Sequence, residues 1–244
     1  MDAQDIDAAA AAAAAQHEPH GDVGGRLNWL RAGVLGANDG IVSTAGVIVG
    51  VAGATTERTA VLTAGIAALV AGALSMGVGE YVSVSTQRDT ETALLERERR
   101  ELLETPDEEL AELAGFYRDR GLDPELAQQV AVQLTAKDAL AAHAEVELQI
   151  DPESLTSPWH AAFASMGSFF VGALLPLVAA LISSPSWHVP LIIAFVAIAL
   201  ALTGLLSARL GGTTPGRQVA RNVIGGLLAM VVTYAIGALV GTQL

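Results

Sequence analysis

Polar and apolar positions in this chain separate into long blocks instead of alternating. Five blocks run almost free of charge, over 32–54, 60–85, 159–182, 189–208 and 218–242. Each supplies the roughly 20 apolar residues with which an α-helix crosses the hydrocarbon core of a bilayer. The pattern therefore predicts five transmembrane helices. Between the second and third blocks, residues 86–158 turn polar and acidic. No Gly or Pro occurs between Glu80 and Thr105, so the second span is predicted to continue out of the membrane as one helix. At 1.5 Å per residue, 86–104 would lengthen it by roughly 28 Å. Thr105-Pro106-Asp107-Glu108 has the pattern of a capping box with Pro at the first helical position, and predicts a second helix ending near Gly121. Asp123-Pro124-Glu125 opens a third, running to about Ile150, and Asp151-Pro152 closes it. The chain thus divides into a low-complexity tail (1–25), transmembrane helices 1 and 2 (26–85), an inserted helical domain (86–158) and transmembrane helices 3 to 5 (159–244). The predicted fold is all-α: a polytopic membrane protein with a three-helix acidic domain between helices 2 and 3.

Composition agrees with this division. Of 244 residues, 52% are apolar and 16% charged, against about 25% charged in an ordinary soluble domain. The net charge is −13, and no nucleic-acid partner is expected. The 86–158 insertion holds 18 Asp and Glu against seven Lys and Arg, so the acidity belongs to one module. There are no cysteines, which excludes disulfides and thiolate metal sites. The tail has eight consecutive alanines, Ala8–Ala15, but no basic segment before an apolar core, and does not read as a signal peptide. His17 and His20 within it could touch a metal, although a solvated tail is the simpler reading.

Basic residues near span ends mark the cytoplasmic face. Arg26 and Arg31 precede span one; Arg209, Arg217 and Arg221 lie between spans four and five; the insertion holds the other seven on that side. Only Arg58, between spans one and two, falls opposite. Five spans then place the N-terminus and the acidic domain in the cytoplasm and Leu244 outside.

Within the insertion the carboxylates fall at helical spacing. Glu98 and Glu101 are three apart, as are Glu109 and Glu112 on the next helix; His143 and Glu147 are four apart on the third. Each pair shares a face. Three packed helices could aim these groups at one point, where they would repel unless a cation intervened. Oxygen ligands suit Mg, Ca and Mn, and an imidazole widens the choice to Fe(II) and Zn(II). The competing reading is a set of solvated acidic faces. A carboxylate di-iron oxidase is excluded, because no Glu-x-x-His pair occurs in the module. Gly211-Gly212-Thr213-Thr214-Pro215-Gly216 lacks the lysine of a phosphate-binding loop, and no nucleophile–base pairing suggests an enzyme.

Ionisable groups inside spans are functional candidates. Asp39 lies in span one and Glu80 in span two, each eight residues from an arginine, Arg31 and Arg88. If those arginines mark the surface, both carboxylates sit about 12 Å deep. Met76, one turn deeper, could add a thioether ligand, or could simply fill a gap in the bundle. For Asp39 the structural alternative is a hydrogen bond to neighbouring backbone. Gly36, Gly40, Gly46 and Gly50 permit close helix contact, which suggests an ion path along a tight helix pair at a dimer axis.

The stretches GANDGIVSTAGVIVGVAGA from Gly36, SMGVGEYVSVSTQRDTE from Ser75, LTAKDALAAHAEVEL from Leu134 and SPWHAAFASMGSFFVGALLPL from Ser157 resemble the vacuolar iron transporter family, which includes yeast-type iron and manganese transporters and nodulin-like members. The match runs from about Arg26 to the C-terminus. It suggests a bacterial-type member, although the ferritin-like N-terminal extension of some bacterial relatives is missing from the first 25 residues. The resemblance implies a homodimer of five-helix protomers with a cytoplasmic metal-binding domain, working as a metal/proton antiporter. It implies that Asp39 and Met76 line the transport path with Glu80 beside them, and that Glu98, Glu101, Glu109, Glu112 and Glu147 are cytoplasmic metal ligands. One departure stands out: where some members carry two methionines before the last ligand glutamate, this chain has His143 and Ala144.

The expectation is a divalent-metal exporter for Fe(II) and Mn(II), with Zn(II) within reach. It would reside in the plasma (inner) membrane of a bacterium or the vacuolar membrane of a eukaryote. No prosthetic group is expected. The rival reading is a membrane-anchored metal sensor that binds without transport, against which the intramembrane Asp39 and Glu80 argue.

Overall fold

The computed structural model describes residues 23–153, 155–184 and 187–242, with side chains from Ala32 onward, His188 excepted. The tail through residue 22, with His17 and His20, and Leu244 lie outside the described residues, as do the side chains of Arg26 and Arg31. Among the described residues seven α-helices follow in order: α1 (Val23–Ala54), α2 (Arg58–Glu104), α3 (Pro106–Asp119), α4 (Pro124–His143), then a π-helical turn (Ala144–Leu148), α5 (Pro158–Ile182), α6 (His188–Leu210) and α7 (Pro215–Gly241). No strand occurs among the described residues. Five of these helices, α1, α2, α5, α6 and α7, are long and apolar enough to cross a membrane, and they coincide with the five apolar blocks. As expected, α2 runs on without a break to Glu104.

The described residues form two compact units, one of residues up to 76 together with those from 164 onward, and one of those between 77 and 163. The first is a helix bundle. Its core holds Ile41, Ile48, Val49, Ile192, Val196, Leu200 and Met230, while Leu35, Val70, Val171, Ile198, Leu228 and Leu239 are exposed. An apolar exterior is what a bundle solvated by lipid requires. The close contacts give the helix directions. Val42 meets Gly226, Gly50 meets Gly237 and Ala54 meets Gly241, so α1 and α7 run parallel. Gly36 and Gly40 meet Ser165, Ser168, Phe169 and Ala173 in ascending order, so α5 is parallel to α1 too. Helix α2 is antiparallel to α5, with Gly65 on Leu177 and Gly72 on Phe169. Parallel odd-numbered spans are the arrangement that five alternating crossings produce.

The glycines of α1 make close contacts within the chain. A Cβ on Gly40 would lie 2.2 Å from the Phe169 carbonyl oxygen of α5, and one on Gly237 would lie 1.8 Å from the Gly50 carbonyl oxygen. Gly46 faces Thr233 of α7. These glycines therefore let α5 and α7 approach α1 within one chain. Small residues permit backbone contact with whichever helix is nearest, and their spacing alone does not say which.

In the second unit α3 packs on α4 around Leu113, Ala114, Ala131, Ala142 and Val146. Asp123 caps α4, its carboxylate accepting from the backbone N–H of Glu125 at 3.1 Å and Leu126 at 3.0 Å. Two local expectations fail here. Thr105 does not form a capping box: its hydroxyl donates to the Glu101 carbonyl at 3.1 Å, tying it to the end of α2. The third helix is not continuous to Ile150. Asp138 has extended backbone (φ −165°, ψ 99°), and its carboxylate accepts from Ala141 N–H at 3.0 Å, so it acts as a second N-cap inside the segment. Asp competes with helical backbone in this way more readily than most residues. Beyond His143 the coil widens into the π-turn, which ends at Gln149 in the left-handed region (φ 55°) with Ile150 N–H donating to Ala144 at 2.8 Å.

Candidate metal centre

Three helical segments of the second unit converge on one buried cluster. Glu98 comes from α2, Glu109 from α3 and His143 from the end of α4; they are 3%, 7% and 0% exposed. Each offers a ligand atom, and those atoms lie within 4.8 Å of one another. The His143 Nδ1 is 3.0 Å from Glu98 Oε1, 3.4 Å from Glu147 Oε2 and 3.8 Å from Glu109 Oε2. The imidazole thus sits among three carboxylates. Glu98 Oε1 and His143 Nε2 are both buried without a hydrogen-bond partner among the described residues. The close Glu98–His143 approach therefore lacks hydrogen-bonding geometry. Buried polar atoms in folded proteins are almost always satisfied, and two orphans in one cluster fit a site that a cation completes.

Electrostatics points the same way. Burial pushes the Glu98 carboxyl up to about 7, with Glu147, Glu109 and Glu101 adding repulsion and His143 opposing. Burial likewise raises Glu109, reinforced chiefly by Glu112 and opposed by His143. Crowded carboxylates out of water resist ionising together, and a divalent ion removes that resistance.

The remaining expected ligands are placed differently. Glu147 is half-buried at the edge of the cluster. Glu101 pairs with Arg97 at 2.9 Å, and Glu112 is exposed. Residues three apart on a helix differ by about 60° around its axis, which is enough to put Glu98 and Glu109 inside and leave Glu101 and Glu112 at the rim. Both rim carboxylates still act on the buried ones through their charge.

In the bundle unit Asp39 is exposed on α1, in a stripe with Leu35, Ser43 and Val47. Its carboxylate has no hydrogen-bond or ion-pair partner among the described residues; only its backbone oxygen is engaged, accepting from the Ser43 hydroxyl at 2.6 Å. The structural alternative for this side chain, a hydrogen bond to nearby backbone, is not formed. Met76 packs against the cluster of Leu69, Ala73, Phe169 and Ala173. Glu80 is half-buried, next to Tyr81, whose ring lies 4.6 Å from Trp159, itself stacked on Phe163 at 5.9 Å. Two features were not foreseen. Asn38 buries its Oδ1 without a partner, for which an amide in a lipid-spanning helix was the available signal. Arg58, at the start of α2, donates from its guanidinium to the Leu181 carbonyl. That carbonyl belongs to the last turn of α5, where no intrahelical donor remains.

Comparison with known proteins gives the family. The profile of the VIT family matches residues 30–238. The chain belongs to the VIT family. Among similar proteins, the "Vacuolar iron transporter" of Acanthamoeba castellanii is 44% identical over 223 residues, covering 91% of this chain and 82% of its own length. "Vacuolar iron transporter homolog 5" of Oryza sativa subsp. japonica is 37% identical, with 88% and 82% covered. "Vacuolar iron transporter homolog 1" of Arabidopsis thaliana is 36% identical, with 91% and 88% covered. The VIT family is a transporter family, and this member is not an enzyme.

Proposed function

We propose that this VIT-family protein exports divalent metal from the cytoplasm in exchange for protons, carrying Fe(II) and also Mn(II), with Zn(II) able to enter. The observation that carries this reading is the buried Glu98–Glu109–His143 cluster with its two unsatisfied atoms, in a chain similar to proteins named vacuolar iron transporters. Glu98, Glu109, His143 and Glu147 capture the ion in the cytoplasmic domain, and Glu101 and Glu112 hold it electrostatically from the rim. Asp39, Met76 and Glu80 serve the path through the membrane. A carboxylate facing lipid is costly, so the exposed Asp39 supports a homodimer whose partner, or the water between protomers, covers that stripe of α1. Ions leaving the cluster are replaced by protons on carboxylates that already resist ionisation, which gives metal and proton a common set of sites.

The test is flux in sealed vesicles carrying the purified protein with an imposed pH gradient. Fe(II) and Mn(II) are expected to move against the proton gradient and to dissipate it. Saturable metal binding with no flux in either direction would leave the sensor reading in its place.

A further inference from the structure

We infer that His143 sets which divalent ions the centre prefers, favouring ions that accept an imidazole nitrogen, Fe(II), Co(II) and Zn(II), over ions that keep to oxygen, Mg(II) and Ca(II), with Mn(II) between. This deepens the proposed function and rests on its metal-binding reading. Without His143 the centre is a carboxylate cage, the ligand set of hard cations. With it, an ion held by Glu98 and Glu109 cannot avoid Nδ1, which lies 3.0 Å and 3.8 Å from their oxygens. The ring is also fixed. Its neighbours Ala142 and Ala144 are buried at 8% and 0% exposure, and His143 itself is fully buried. The break at Asp138 restarts the helix one turn before it, and the π-turn after it keeps Glu147 within 3.4 Å. A pinned nitrogen donor at the centre discriminates by ligand type, whereas Glu101 and Glu112, at the rim, can adjust to ions of any kind. His143 Nε2 and Glu98 Oε1 are buried without a hydrogen-bond partner among the described residues, so the cluster's own hydrogen bonds do not satisfy it.

The experiment uses the full-length protein in detergent, with His17→Gln and His20→Gln removing the tail imidazoles. Binding of Zn(II), Co(II), Mn(II) and Mg(II) is measured before and after His143→Asn, which places an amide oxygen near the position of Nδ1. Zn(II) and Co(II) affinity is expected to fall by at least about tenfold, the lower end of what losing even an outer-shell partner of a ligand costs. Mn(II) and Mg(II) affinity is expected to change by less than about threefold, following the preference of hard ions for oxygen. X-ray absorption of the Co(II)-loaded protein with His143 intact is expected to show imidazole scattering, which needs no variant to fold. Equal losses for all four ions, no loss, or an all-oxygen shell around tightly bound Co(II) each overturns the role of His143. Failure of the unsubstituted centre to bind any of the four ions overturns the metal-binding reading itself.

Discussion

Glu98 is the residue on which the centre's chemistry turns. Its carboxyl is raised to about 7 by burial and neighbouring carboxylates, above the ordinary value near 4.5. The unfolded chain therefore releases this proton first. As pH rises from about 4.5 to about 7, the folded state keeps a proton that the unfolded state has lost, and the stability it confers fades across that window. Metal-free protein should accordingly show lower hydrogen-exchange protection over residues 98–147, relative to the intrinsic exchange rate at each pH, at pH 8 than at pH 5. Saturating Mn(II) at pH 8 should restore protection. Glu98→Gln should flatten the pH profile and weaken metal binding at least about tenfold; an unchanged profile would remove Glu98 from its place. Metal affinity should also decline as pH falls from 8 to 6, because the ion must displace the Glu98 proton.

Asp39 carries the second prediction at this scale. Its side chain is exposed on α1 without a partner, so removing its charge should cost the fold little. Asp39→Asn is expected to leave metal binding by the Glu98 cluster intact while abolishing metal flux and metal-driven proton movement in the same vesicles, since a cation in a poorly hydrated path needs the anion. Flux and binding lost together would point to misassembly, and normal flux would remove Asp39 from the path.

Among the elements, close helix packing makes a graded prediction. Gly237 and Gly225 both lie on α7, yet a Cβ on Gly237 would strike the Gly50 carbonyl, while one on Gly225 meets nothing within 4 Å. Gly237→Ala should lower the thermal midpoint in detergent, consistent with the about 1–3 kcal/mol that overpacking costs. Gly225→Ala should leave it unchanged or raise it slightly through helix propensity. Equal effects would show that α1 and α7 do not meet at these glycines. The same elements explain what was legible in advance. Span positions follow from hydrophobic length, a property of each segment alone, and all five were readable. The glycine contacts depend on which helix lies opposite, and spacing on α1 holds no such information. Around the buried cluster, the pairs at i and i+3 pointed to the faces of α2 and α3 that meet there, but not to which member lies inside. That depends on the crossing of α2, α3 and α4, fixed partly by the break at Asp138 and the π-turn after His143. No local pattern announced either. Thr105 shows the converse: the local cap pattern was present, and the end of α2 one residue earlier took its hydroxyl.

For the whole molecule, the decisive quantity is orientation, and it rests on few charges. Twelve of the thirteen Lys and Arg lie on the side assigned to the cytoplasm. The exception, Arg58, is bound to the Leu181 carbonyl, so it has a structural reason to be where it is and need not report on topology. Parallel packing of α1 with α5 and α7, and antiparallel packing of α2 with α5, supports an odd number of crossings. Together these support the proposed orientation, with the acidic domain inside and the C-terminus outside. A reporter that matures only in the cytoplasm should therefore be silent when fused after Leu244 and active when inserted in the loop after Ile150, before α5. Arg58→Gln should leave both readings unchanged while lowering stability, because it removes a helix-end hydrogen bond and not a topogenic charge. An active C-terminal reporter would overturn the five-span orientation. It would also put the Glu98 cluster on the wrong side of the membrane for export, so the topology experiment bears directly on the direction of transport.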